Sequence, residues 1–447
     1  MRLFSPIDTP SDVSIPAKNI WPEYHRDHLC ILPDSSKEIC KPAEFILNPN
    51  HSENANLGYD RKYRDKMLVD VIHGGDLIPE AYYKHLIHKN PELEHRIMKS
   101  YFLEKDWGAN QLAAQLTKDL GLQGHVRVSI ARALMDYGRF PGNTPPGARF
   151  LDRYAINYPF SYHLDHYLKK RLLESCFDEV SSVYEEHMQD KFLKIAVHSY
   201  DKHNYGPYAG FEGTKRPDVS LIFQSMSIQE DKRMPFGLFD PLYPDVLAEF
   251  TADRRLTARI SLSLEKVGIS VAHNFPYCLP NGSVEIRAQV WAFFKYLRNQ
   301  FEDHFPEKSG SIPYDMVWDM LLDTNLRSSE SDNLRSYLHM FRHALIGREE
   351  EFRHAREAYL DVKRFFVKHK KDLLSIYRRS LFRPSCIAVE VRKDLLWKFQ
   401  DSACTIPVIG EEGLKKANVE HLSLLLSSAI KDYLRKDRVQ IVKDFFK

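Results

Sequence analysis

Between residues 66 and 304 the chain alternates short apolar or β-branched runs with longer stretches whose apolar residues recur at i, i+3 and i+4. That switching of period constrains the fold more than any other feature. The runs at 67–73, 124–130, 192–198, 218–223, 268–273 and 282–287 read as strands, and 79–89, 91–101, 107–121, 161–188, 252–266 and 288–303 read as helices. Crossovers of this length favour parallel pairing, so the expected fold is α/β: a three-layer, mixed but largely parallel sheet flanked by helices. Residues 1–65, rich in Pro, Asn, Ser and Asp, predict an irregular N-terminal arm. Beyond Pro306 strand signals fade, and 313–325, 331–346, 348–380, 388–401 and 419–445 all read as helix. The expected organisation is an arm (1–65), an α/β catalytic unit (66–304) and an all-helical C-terminal region (305–447).

Charge excludes little but directs attention to the site. Lys plus Arg number 63 against 61 Asp plus Glu, a net charge of +2, so no global field argues for nucleic acid or a membrane surface. The stretch 341–400 carries a local surplus of cations, read first as a solvated helix face. The cysteines at 30, 40, 176, 278, 386 and 404 lack CxxC spacing, which suits reduced intracellular thiols. No window approaches the roughly 20 apolar residues of a membrane helix. A soluble, cytoplasmic protein with no membrane partner is expected.

In open α/β sheets ligands bind where strands open into loops, and two imidazoles stand there. His73 follows the run MLVDVI and precedes Gly74-Gly75-Asp76, and His198 ends the run FLKIAV. Two His and one carboxylate make a three-ligand set for a hydrolytic zinc ion with its fourth position open. Asp76 is the preferred carboxylate, because three residues of loop can wrap both side chains around one ion. Glu80, at the start of the next helix, is its rival. Glu285, set between Val284 and Ile286 in an apparent strand, is the candidate general base. Asp106 reads as a dipole partner at a helix N-terminus.

The segments VIHGGDLIPE, LEKDWGANQLAAQLTKDL, ARALMDYGR, KIAVHSYD, RPDVSLIF, AHNFPY and VEIRAQ together resemble the N-formylglutamate amidohydrolase family, over about residues 66–304. His198-Ser199-Tyr200 and Glu285-Ile286-Arg287 resemble, more distantly, stretches of the zinc carboxypeptidases. The resemblance implies a zinc-exopeptidase-like fold and hydrolysis of a small N-formyl or N-acyl amino acid, a peptide or modified protein terminus being the alternative. It supports His73 and His198 as zinc ligands and Glu285 as base, the carboxylate ligand staying open between Asp76 and Glu80. The Arg132-to-Arg139 stretch matches the family's Arg-x-x-x-Asp-x-x-Arg segment, with Tyr137-Gly138 in place of Leu-Asn. It implies that Arg132 and Arg139 hold a substrate carboxylate or a developing oxyanion, with Asp136 orienting one of them. Asn274, in the Asn-x-Pro-Tyr element, would donate to the substrate, although a turn role before the proline reads nearly as well. Arg216 would line the same pocket. An inactive relative that binds a partner through the basic 341–400 stretch is the reading from another class.

Overall fold

The structure, a computed structural model, describes residues 30–32, 41–52, 56–148, 152–204, 214–226, 239–340, 343–380, 383–401 and 404–435. Most of the expected arm, 1–29 and 33–40, lies outside these residues. Seven strands form one sheet: β1 Ala43–Leu47, β2 Met67–Val71, β3 Gly124–Val128, β4 Leu193–Tyr200, β5 Val219–Ile222, β6 Val271–His273 and β7 Ser385–Arg392. Their order in space is β6-β5-β7-β4-β2-β3-β1. The central four, β3, β2, β4 and β7, run parallel. Antiparallel joins at β7–β5 and β3–β1 reverse the sheet's two flanks.

Ten longer helices cover the sheet among the described residues: α1 Glu80–Lys89, α2 Leu93–Glu104, α3 Ala109–Leu120, α4 Asp178–Met188, α5 Arg254–Glu265, α6 Val284–His304, α7 Ile312–Leu322, α8 Ser329–His339, α9 Glu349–Arg379 and α10 Lys416–Tyr433. On one face α3, α5 and α10 pack their apolar sides against Val69, Ile195, Val197, Val389 and Val391. On the other, α1, α2 and α4 cover Leu68, Val126 and Val128, while α6, α7 and α9 build a layer over Ala196, Ile222 and Ala388. Burial from both sides explains why the inner strands read as continuous apolar runs rather than as alternating ones. The mixed α/β architecture thus has the expected three layers. No helix of the described residues is long and apolar enough to cross a membrane.

Two expectations change, and both matter for the site. The stretch 388–401 is not one helix, only the turn Lys393–Leu396 being helical. Its first residues belong to β7, which pairs with β4 residue for residue from Ser385–Leu193 to Arg392–Tyr200, every residue of both strands being buried. A short apolar run buried on both faces cannot be told from a buried helix by periodicity. The region after residue 305 is therefore largely helical but supplies a central strand. Conversely, 282–287 is not a strand: Ser283 caps α6, its hydroxyl accepting from the Ile286 N–H at 3.3 Å, as a serine ahead of a helix does. The N-terminal arm also contributes, since Ala43–Leu47 closes the sheet as its edge strand β1.

Candidate metal centre

The parallel pairing of β2 with β4 brings His73, just past the end of β2, beside His198, with ring centroids 5.0 Å apart. The carboxylate between them is Asp106, from the loop joining α2 to α3. Its backbone N–H donates to the His73 carbonyl at 3.0 Å, tying that loop to the end of β2. Asp106 Oδ2 lies 2.9 Å from His198 Nδ1 and 3.6 Å from His73 Nδ1. All three residues are buried, and their ligand atoms lie within 4.8 Å of one another.

The outer partners suit a metal site. His73 Nε2 stands 2.8 Å from Asp136 Oδ1, which fixes its proton there and turns the Nδ1 lone pair toward Asp106, the arrangement in which ligating imidazoles are usually held. Asp136 also accepts from the Gly138 N–H at 2.8 Å and from Arg132 Nε at 3.1 Å, and Arg139 Nε lies 3.8 Å away. A Cβ on Gly138 would come 3.0 Å from Asp136 Oδ1 and 3.1 Å from Ile72 Cδ1. A side chain here would press on the carboxylate and on Ile72, which would have to give by a few tenths of an ångström.

Electrostatics follow from these contacts. Burial disfavours both charged carboxyls, but His198 and His73 overcome it at Asp106, and Arg132 with His73 at Asp136, so both titrate below the usual carboxylate range. Burial would likewise lower His198, yet Glu390 and Asp106 hold its pKa up at about 9. Two imidazoles and a carboxylate, one imidazole backed by a second carboxylate, form a donor set that fits a divalent cation such as zinc.

Glu390 is the residue that sequence reasoning missed most completely. It is the register partner of His198 on the adjacent strand β7, and by alternation it points to the same face, since Val389 and Val391 pack on the opposite one. It is buried and accepts a hydrogen bond from the Tyr277 hydroxyl. Burial, then Glu390, hold the Tyr277 proton on well above the ordinary range. A signal was available, because Val389-Glu390-Val391-Arg392 repeats the Val-Glu-Ile-Arg pattern at 284–287.

Several expected residues stand elsewhere. Asp76 does not join the histidines: its carboxylate meets the Tyr101 hydroxyl and Lys105 and lies 3.6 Å from an Arg127 terminal nitrogen. The backbone dictates this, for Asp76 and Leu77 both donate to the Ser129 carbonyl, which carries the chain away along the end of β3. Glu80 pairs on the surface of α1 with Lys84 at 2.6 Å. Glu285, in the first turn of α6, accepts from Lys194 Nζ at 2.8 Å, and the same ammonium lies 2.8 Å from Asp70 Oδ1. Lys194 precedes His198 by four residues, about 13 Å of strand, yet the Glu285 carboxylate stays within electrostatic reach of His198, each shifting the other's titration. Burial raises the Glu285 carboxyl, and Lys194 more than reverses that, holding it at about 2.

Arg132, Asp136 and Arg139 do assemble, around His73. Asn274 is taken up locally: at φ +52° its side-chain oxygen accepts from the Phe223 and Gln224 N–H groups at 2.9 Å each, a turn role that ties the 274–277 element to the end of β5. Arg216, just ahead of β5, lays its guanidinium 5.1 Å over the Tyr200 ring, with a buried Nε that has no hydrogen-bond partner among the described residues.

No family model matches the sequence, and no curated protein matches it. Among solved structures, the chain is similar to the gene product Atu2144 from Agrobacterium tumefaciens, at 11% identity and a TM-score of 0.41, over 92% of this chain and 99% of that one. It is also similar to an N-formylglutamate amidohydrolase from Ralstonia eutropha JMP134, at 10% identity and a TM-score of 0.43, over 88% of this chain and 98% of that one. At these values neither likeness assigns an activity to the present chain.

Proposed function

We propose that the chain is a metal-dependent hydrolase that cleaves the amide bond of a small carboxylated substrate, an N-formyl or other N-acyl amino acid. The observation that carries the reading is the convergence of His73, Asp106 and His198 beside a second buried carboxylate, Glu390, in register with His198. His73 Nδ1, His198 Nδ1 and Asp106 Oδ2 would hold the ion. Zinc bound there supplies a Lewis acid for the scissile carbonyl and lowers the pKa of water toward neutrality.

The chain's own groups account for the remaining steps. Glu390 takes the proton from the attacking water and returns it to the leaving nitrogen. Tyr277 donates to its Oε1, which fixes the carboxylate plane and leaves the second oxygen for the proton. Glu285 is less suited to this role because Lys194 occupies its carboxylate. Asp136 fixes the face that His73 presents. Arg132 and Arg139, whose positive charges flank Asp136, and Arg216, whose Nε has no partner among the described residues, would anchor the substrate carboxylate, an acceptor that a guanidinium fork matches.

The test is a purified protein loaded with zinc and given N-formyl-L-glutamate, other formyl and acetyl amino acids, and short formylated peptides. Turnover of the free amino acid derivatives supports the small-substrate reading, and turnover of peptides alone replaces it with the peptide alternative. His198→Ala should lose both bound zinc and turnover. No turnover of any member by a protein that retains stoichiometric zinc would sink the hydrolase reading.

A further inference from the structure

The charges of α9 are handled differently in its two halves. Near its start they close on one another: Arg348 pairs with Glu330 and Glu351, and Arg353 lies 3.6 Å from Glu350 and 3.5 Å from Glu357. From residue 360 onward the exposed positions carry Lys363, Arg364, Lys368, Lys370, Lys371, Arg378 and Arg379 against one exposed acid, Asp372. Of these cations only Arg364 has an ion pair among the described residues, with Asp361. A solvated helix face normally interleaves both signs, as the first half does.

The same strip is apolar along its middle. Leu360 is 39% exposed and Val367 63%, and half-buried Leu374 follows at the same interval. A seven-residue spacing is the one at which a helix keeps the same face toward a second helix. Leu360, Lys363, Arg364, Val367 and Lys368 surround a shallow hollow of about 380 Å³.

We propose that this strip, residues 360–378 of α9, docks an acidic amphipathic helix of a partner protein. The partner's apolar residues would lie over Leu360, Val367 and Leu374, and its carboxylates would meet the flanking cations. A lipid surface is the alternative that the vesicle probe tests. Nucleic acid fits less well: the strip exposes no aromatic, Asn or Gln side chain to stack on or read bases, and phosphates leave its apolar seam uncovered.

The test uses the full chain and four probes: a labelled three-heptad peptide with Leu at the seam positions and Glu elsewhere, a scrambled peptide of the same composition, phosphatidylserine vesicles and a short DNA duplex. The patterned peptide should bind more tightly than the scrambled one. Lys363→Glu with Lys371→Glu should weaken it by about tenfold or more, and Val367→Asp should weaken it with the cations intact. Arg353→Glu, in the self-paired half, should leave it unchanged. Equal binding of the two peptides, no binding of either, or a charge-reversal effect confined to vesicles or duplex overturns the proposal. Far-UV circular dichroism checks that these surface variants keep the fold.

Discussion

Val284-Glu285-Ile286-Arg287 and Val389-Glu390-Val391-Arg392 are nearly the same four residues, and the molecule uses them in opposite ways. The first opens a helix behind a serine cap. Its glutamate is neutralised by Lys194, and its arginine is buried against Asn325, 2.7 Å away, and the Tyr137 carbonyl. The second closes a central strand, its glutamate level with His198 and held by a tyrosine hydroxyl, its arginine between Asp218 and Asp394. A carboxylate clamped by an ammonium is a structural charge. One that accepts from a neutral hydroxyl beside a metal-type cluster is the proposed base. What separates them is strand register, which no four-residue pattern carries.

The most direct way to break this comparison is to neutralise each glutamate in turn. Glu390→Gln should keep zinc and lose about 10²- to 10⁴-fold in turnover, the usual worth of a positioned general base. Glu285→Gln leaves Lys194 with one carboxylate instead of two, and should cost up to about 3 kcal/mol of stability, while the folded fraction keeps most of its activity. Reversed outcomes in kcat and in chemical denaturation would exchange the two roles.

The carboxylate expected to ligate beside His73 and the one that stands between the two histidines give a second, smaller contrast. Asp106→Asn should weaken zinc binding by more than about 100-fold, beyond the loss typical of an outer-shell partner, whereas Asp76→Asn should change it little. Competitive titration with a chromogenic chelator measures both. A large loss at Asp76 with none at Asp106 would return the ligand set to the local His-x-x-Asp pattern.

These contrasts mark what was legible in the chain. The β-α alternation announced the parallel sheet, and a parallel sheet delivers strand-end residues to one edge, so His73 and His198 were readable as neighbours before any coordinates. Asp136 with its two arginines was readable as one unit through the likeness of 132–139 to the family's Arg-x-x-x-Asp-x-x-Arg segment. Asp106 was hidden because its place depends on a backbone hydrogen bond to His73 across the α2–α3 loop, which has no local signature. Glu390 was hidden twice over. Its strand imitates a buried helix, and that strand enters the sheet beside β4 only after the whole α7–α9 excursion, so its partner is set by topology rather than by spacing.

The finest test of the comparison is acid stability of the metal-free protein. Glu285 titrates at about 2 in the folded chain, against an ordinary value of 4.5, because Lys194 outweighs the cost of burial. A folded pKa below the unfolded one means that the unfolded chain takes up the proton first. The contribution of this group is therefore complete above pH 4.5 and drains away as the pH falls toward 2. The difference of roughly 2.5 units corresponds to up to about 3 kcal/mol. Urea midpoints measured between about pH 5.5 and pH 2.5 should fall more steeply for wild type than for Glu285→Gln, which has no proton to take up there. Parallel slopes would mean that Lys194 does not hold Glu285 ionised, and would reopen the assignment of the structural and the reactive glutamate.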